Sequence, residues 1–443
     1  MSTPAPSLET RRDQIRAALA ARRDEVRDLI LEVVGVPSVT NDEAAVQDVF
    51  ERVMRELDLT VDRWSATEEE IAPYTLHVGE QEVYENRPNL AGLRPGAEPN
   101  TGRSLMLQGH VDTVPAGDPA LWTRNPAGEW DEATGRIYGR GAMDMKAGVV
   151  TNLMALKALD DIGVRLAGDV TVAATVGEED GGVGAMSLVL RGHKADAVVI
   201  TEPTERRLVI AQGGSLVFRI TVTGRSAHGA TRHQGVSAVE KFVPIFQDLL
   251  AWEAERTATL SHPLYDGMVD KFPISVGVVK AGTWASTVPE TLIAEGRLGF
   301  LPAETIEEMM AATAARIDAV ARQDEWLREH PPLLEWFGGQ FESAEVSPDE
   351  PIAQAVNRAH QVSTGEPVTM AAISAGLDLR LFTLFGEMPT VTYGAGDVAQ
   401  GSAHGPDEWI GLDDVLGAIE TIALTAIEWC GEAEPSGAST AAD

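Results

Sequence analysis

The chain opens with helical spacing. Between residues 9 and 35, Ile15, Leu19, Val26, Ile30 and Val33 fall on one plausible helix face. The stretch PSVTNDE at 37–43 interrupts this pattern. Asn41 or Asp42 there supplies an N-cap signal for a second helix reaching about Leu57. Short apolar runs then alternate with helical ones. Strands are expected at 105–108, 170–175 and 197–200, and helices at 146–159 and 184–190. Such alternation predicts an α/β layer structure around a largely parallel sheet.

After Gln212 the period changes to two. LVFRITVTGRSAHGA reads as a half-exposed strand. A long helix (236–257), strands near 274–279 and 291–300, a charged helix (304–328) and a last strand (333–337) follow. Together they predict an inserted α+β unit, a four-stranded sheet with two helices on one face. The α/β pattern resumes through 351–364 and 412–430. The expected limits are therefore 1–212 and 341–430 for the two parts of one domain and 213–340 for the insert. Residues 1–8 are expected to be frayed, and 431–443 (GEAEPSGASTAAD) to form a disordered tail.

Composition narrows the function classes. At 443 residues the chain is too long for one ordinary core. Its 35 Lys+Arg against 68 Asp+Glu give a net charge of −33, a field that repels phosphate backbones and argues against a nucleic-acid partner. Cys430 is the sole cysteine, so neither an internal disulfide nor a thiolate metal cluster is expected. No run of eighteen apolar residues predicts a membrane span. The charged N-terminus lacks the apolar core of a signal peptide, and a cytoplasmic protein is expected.

The candidate chemistry sits at strand ends. LMLQGHVDTVPAG ends its apolar run on His110 and Asp112. GRGAMDMKAG places Asp144 just before a helix, VGEEDGG places Glu178 and Glu179 just after a strand, and ITEPT does the same for Glu202. QGSAHGPDEW offers His404. In an open α/β sheet the C-terminal strand ends share one crevice. A mixed nitrogen and oxygen donor set there suits zinc, with cobalt or manganese as substitutes. Two His and several carboxylates would hold two ions, able to clamp a hydrolytic transition state. Asp112 lies on the same side of an extended chain as His110 and is expected to accept its imidazole N–H. Adjacent residues in an extended segment face opposite ways, so one of Glu178 and Glu179 can bind metal while the other serves as general base.

These five segments, in this order, resemble the metallopeptidase family that holds acetylornithine deacetylase, succinyl-diaminopimelate desuccinylase, aminoacylase and bacterial glutamate carboxypeptidase. The resemblance covers about residues 25 to 430. It implies a zinc-peptidase catalytic domain with an inserted lid that also serves dimerisation, and two Zn²⁺ per chain. His110, Asp144 and Glu202 would hold one ion. Asp144, Glu179 and His404 would hold the other, with Asp144 bridging. Glu178 would be the general base and Asp112 the orienter, and the Asp144–Met145 peptide would be cis. His228, in the lid's SAHGA motif, would stabilise the oxyanion, in dimeric members at the partner's site. Two departures stand out. GTWASTVPE has Ser286 where many members have Asn, and SAGLDLR keeps Asp378 and Arg380 but has Leu377 for Thr. Ser286 and Arg380 are the expected substrate contacts.

The implied activity is removal of an acyl group from the nitrogen of a small, carboxylate-bearing substrate by a homodimer paired through its lid. A dipeptidase or carboxypeptidase with the same machinery is the alternative. A non-catalytic metal-binding relative is disfavoured, because the base and all five ligand positions are present.

Overall fold

The computed structural model describes residues 6–98 and 101–433. Its larger sheet has nine strands. The centre is parallel: Val170–Thr175, Leu105–His110, Ala197–Ile200 and Thr390–Thr392 run side by side in one direction. One flank is antiparallel, through Pro88–Arg94 and then Thr60–Ser65. On the other, Leu208–Gln212 pairs with Thr390–Thr392, Ala344–Glu345 and Met370–Ile373. The central strands are mostly apolar and almost wholly buried because both faces are covered. Leu105 and Leu107 enter one core with helices Ala147–Asp161 and Leu412–Cys430, while Met106 enters another with helix Val183–Leu190.

The insert has its own core. Strand Gly214–Thr223 is central in the sheet Ile274–Ala281, Thr291–Phe300, Gly214–Thr223, Leu333–Trp336, all antiparallel. Leu216, Phe218, Ile220 and Val222 pack against helices Ala238–Thr259 and Ile306–Ala321, while the alternate residues of the strand are less buried. That alternation is the period-two signal of a one-sided sheet. The two chain crossings into the catalytic domain lie side by side: Ser215 and Phe341 exchange backbone hydrogen bonds, both of 2.9 Å. Strand Ile274–Ala281 is an edge and leaves Val278 and Val279 exposed; Val239, Val243 and Leu250 are exposed on helix Ala238–Thr259.

Several expectations need correction. The helix read at 9–35 is two, Leu8–Ala21 and Arg23–Gly35, turning at Arg22. The one read at 304–328 is also two, because Asp324 caps a new helix, Glu325–Glu329. The second helix begins at Ala44 without a side-chain cap from Asn41 or Asp42. Residues 431–433, read as the start of a disordered tail, are anchored: Glu432 bridges to Leu166 and pairs with Arg11. Residues 1–5 and 434–443 lie outside the described residues.

Helix Ala147–Asp161 starts at the C-terminal edge of the parallel strands and packs close to the segment that carries Glu202. A Cβ on Gly148 would lie 2.3 Å from the Thr201 carbonyl oxygen. Gly148→Ala must therefore push helix and strand apart. A loss of about 1–3 kcal/mol is expected, together with weaker metal retention. Denaturant unfolding and metal analysis of the variant would check both.

Candidate metal centre

Five segments meet at one edge of the parallel sheet. His110 is the last residue of its strand and is buried. Asp144 precedes helix Ala147–Asp161, and the Asp144–Met145 peptide is cis. Glu178 and Glu179 follow strand Val170–Thr175, in a turn where Gly177, Gly181 and Gly182 take the positive φ that glycine tolerates. Glu202 follows strand Ala197–Ile200. His404 comes from a loop between Thr390–Thr392 and Trp409–Gly411. The Asp407 carboxylate anchors that loop by accepting the Thr123 and Arg124 backbone N–H groups at 2.8 and 2.9 Å.

His110 Nε2 lies 3.3 Å from Asp144 Oδ1 and 3.5 Å from Glu202 Oε1. His404 Nε2 lies 3.4 Å from Asp144 Oδ2 and 3.0 Å from Glu179 Oε2. Each Asp144 oxygen thus faces a different imidazole. Zinc bonds of ~2.0–2.1 Å in a tetrahedron put neighbouring donor atoms roughly 3.3 Å apart. The spacing and the N/O chemistry of the donors fit a metal ion on each side of Asp144. His110, Asp144 and Glu179 also place donor atoms within 4.8 Å of one another.

The electrostatics also call for cations. Burial opposes ionisation of Asp144, but hydrogen bonds with His110 and His404 outweigh it and hold the carboxyl below its ordinary range. Hydrogen bonds to Asp144 and Glu179 push the His404 imidazole up to about 10. Burial raises Glu202 well above the usual carboxylate range, and the Asp144 and Asp378 charges add to it, against an opposing effect of His110. This is the signature of too much buried negative charge for the protein's own cations.

Asp112 takes a fuller part than its sequence position suggested. The nearer acceptor for His110 Nδ1 is the Asp112 backbone oxygen, at 3.0 Å; its carboxylate is at 3.5 Å. The carboxylate instead accepts the backbone N–H groups of Glu178 and Glu179, both at 3.2 Å, and the Thr40 hydroxyl at 3.1 Å. One residue thus orients His110 and holds the loop carrying Glu178. Glu178 faces the cavity and, among the described residues, its carboxylate accepts no hydrogen bond from the protein. Its pKa is raised well above the ordinary value, first by burial, then by the Asp378, Glu202 and Glu179 charges, with His110 opposing.

Sequence reasoning missed Glu408, although it lies in the quoted AHGPDEW segment. Its buried carboxylate accepts the backbone N–H groups of Gly141, Met143 and Asp144 at 3.1, 2.9 and 3.2 Å, and the Arg140 guanidinium at 2.6 Å. It therefore fixes the turn that aims Asp144. Glu43 and Arg87 form a second buried pair, at 2.7 Å, beside the Gly177 turn.

Three expected residues stand apart from this cluster. Arg380 is fully buried. Its guanidinium donates to Glu342 at 2.9 Å and to the carbonyls of Gly181 and His77 at 2.8 and 3.2 Å. It supports the Glu178 turn from behind and does not line the cavity. His228 and Ser286 meet each other in the lid, where Gly229 N–H donates to the Ser286 carbonyl. Both are exposed, and neither lines the cavity of its own chain.

Comparison with known proteins agrees with this geometry. The profile described as "Peptidase family M20/M25/M40" matches residues 106–428. The chain is 26% identical over 439 residues to an N-formyl-4-amino-5-aminomethyl-2-methylpyrimidine deformylase of Halalkalibacterium halodurans, spanning 94% of this chain and 97% of the relative. It is 32% identical over 167 residues to a probable succinyl-diaminopimelate desuccinylase of Staphylococcus aureus, covering 37% of this chain and 40% of that one. The structure of a tripeptidase from Staphylococcus aureus superposes with a TM-score of 0.70 at 20% identity, over 92% of this chain and 98% of that chain.

The Glu408 clamp is directly testable. Glu408→Gln keeps the shape but puts an amide where backbone N–H groups need an anion. Metal affinity should fall about 10–100-fold, with little change in circular dichroism. Metal content after titration with a chelator measures this; retention equal to wild type would show that Asp144 needs no such support.

Proposed function

Because this chain belongs to peptidase family M20/M25/M40 and is a metal-dependent amidohydrolase, we propose that it is a two-zinc deacylase that frees a small amine from its N-acyl group. The observation that carries this is Asp144, with one oxygen turned to each of two imidazoles, beside an unpartnered Glu178. His110, Asp144 and Glu202 would hold one ion; Asp144, Glu179 and His404 the other. Cobalt or manganese can substitute in such a donor set. Similarity over nearly the whole chain to a protein named a deformylase supports deacylation. The structural likeness to a tripeptidase keeps peptide cleavage as the second reading.

When bound, the ions supply a positive field that polarises the scissile carbonyl and lowers the pKa of nearby water. The protein's own groups do the rest. Glu178 accepts a proton from the attacking water as its oxygen bonds to the carbonyl carbon. The C–N bond then breaks, and Glu178 returns the proton to the departing nitrogen, leaving an amine and a carboxylate. Asp112 keeps Glu178 in place through the turn's N–H groups. His228 donates to the developing oxyanion.

His228 and Ser286 do not line their own chain's cavity, and the lid sheet ends in an exposed edge with Val278 and Val279. An unpaired edge suits two-fold pairing with a second copy. The homodimer is thus part of this proposal, with His228 serving the partner's site. A cytoplasmic setting also belongs to it, supported by the single, buried Cys430.

Stripping the protein with a strong chelator should abolish hydrolysis, and zinc or cobalt should restore it, with two ions counted per active chain. Glu178→Gln should keep both ions yet lose about 10²–10⁴-fold in rate. A variant that keeps its rate would remove Glu178 from the mechanism.

Lid delivery is checked by complementation. Glu178→Gln chains mixed and exchanged with His228→Ala chains should regain activity, because one intact centre then meets one intact lid histidine. Verified exchange without recovery would place His228 in its own chain's site or outside the reaction.

A further inference from the structure

The cavity beside the carboxylates holds about 310 Å³ and has an apolar wall that includes Phe341, Ile373, Ala375, Gly376 and Leu377. Phe341 belongs to the second chain crossing, and a Cβ on Gly376 would come within 2.1 Å of its ring. The rest of the wall begins at the end of strand Met370–Ile373 and continues as an irregular bend. Such a bend has no ladder to fix its shape, so its backbone groups must find partners elsewhere.

The partners come from the insert. Between helix Ala238–Thr259 and strand Ile274–Ala281, residues 260–273 return to the catalytic domain as a strap. Tyr265 and Phe272 are buried there with Leu301 and with Ala211 and Ala372 of the larger sheet. His262 Nε2 meets Glu345 Oε2 at 3.1 Å in the same place. The Tyr265 hydroxyl donates to the Ile373 carbonyl at 3.2 Å, beside the Gly213 N–H at 2.8 Å. Burial and the Glu345 charge raise the phenol above its ordinary pKa, so it stays a donor. One residue on, Arg297 of lid strand Thr291–Phe300 donates to the Ser374 carbonyl at 3.2 Å. That is the one hydrogen bond the backbone of 374–377 receives among the described residues. Arg297 pairs with no carboxylate among them, and its Nε is buried without a partner.

Resting on the deacylase reading, we infer that Tyr265 and Arg297 are positioning residues of this site: they hold the wall segment 373–377 in the shape that receives substrate. Neither lines the cavity, so each acts through the carbonyl it holds. The insert thereby shapes the cavity of its own chain from its root, whereas His228 and Ser286 lie outside that cavity. A loosened wall weakens substrate and transition state alike, which raises KM and leaves kcat.

Two readouts test this. Hydrogen exchange followed by mass spectrometry reports on the wall directly, with or without zinc. Tyr265→Phe and Arg297→Met, each confirmed as folded, should speed amide exchange across 373–377 by about 3–10-fold, with strand Leu105–His110 unchanged. Arg297→Lys keeps a donor and should stay near wild type. The second readout is binding of N-formyl-L-phenylalanine and N-formyl-2-phenylethylamine, as KM in the zinc-loaded enzyme and by calorimetry in the zinc-loaded Glu178→Gln background. Tyr265→Phe and Arg297→Met should weaken both probes by about 3–10-fold, with kcat and metal content held. Unchanged exchange, or a loss of kcat at constant KM, overturns the inference and leaves the deacylase reading standing. A loss in Arg297→Met confined to the probe that carries a carboxylate also overturns it, because Arg297 would then be a substrate contact. If neither probe is turned over while both bind more weakly to the variants, the inference stands and the deacylase reading falls. Binding of neither probe at millimolar concentration overturns the inference.

Discussion

Asp144 must stand between two imidazoles, and burying it there is the constraint that the surrounding structure answers. An anion in that position gathers more anions: Glu179 and Glu202 lie within 3.5 Å of the same two histidines. Like charges held this close in a poorly hydrated crevice repel strongly. The fold therefore fixes two of the turns that carry these carboxylates by their backbone amides. Asp112 binds the N–H groups of the Glu178 turn, and Glu408 those of the Asp144 turn. Both clamps are themselves buried acids, stabilised by oriented amides and, for Glu408, by Arg140. The geometry of the cluster thus depends on residues that stand outside it.

The residues that cluster around Asp144 were legible because the fold advertises them. Each sits at a strand end or a glycine-rich turn, where a polar residue interrupts an apolar run, as His110 does after Leu105–Leu107. Three of the four central strands were legible for a related reason: covered on both faces, they are mostly apolar, whereas Thr390–Thr392, one valine between two threonines, went unread. Strands of three residues, such as Glu129–Asp131 and Arg136–Tyr138, are too short to show a period and went unread. The break at Arg22 carries neither glycine nor proline, so two helices read as one.

Glu408 and Arg380 show the other limit. In sequence, a glutamate that accepts three backbone N–H groups looks like any surface glutamate, because its partners are amides common to every residue. Arg380 shows the opposite case. Its type suggests a clamp for a carboxylate, but Glu342, Gly181 and His77 already use its donors. Residue type states what a side chain could bind; only packing states whether it is free to.

The sheet also imposes an order on biosynthesis. Thr390–Thr392 lies between Ala197–Ile200 and Leu208–Gln212, so a central strand comes from the last stretch of the chain. Helix Leu412–Cys430 packs on the first helix, Leu8–Ala21, and on Ala147–Asp161. During vectorial synthesis the insert, whose contacts are local, can fold as soon as it emerges. The catalytic sheet cannot: it waits with a gap in its middle and one helical layer incomplete. His404 and Glu408 arrive only after that gap is filled. The cluster around Asp144 is therefore among the last features of the molecule to form, and a nascent chain stalled before residue 390 would carry four of its five segments in a half-built crevice with apolar surface exposed to chaperones.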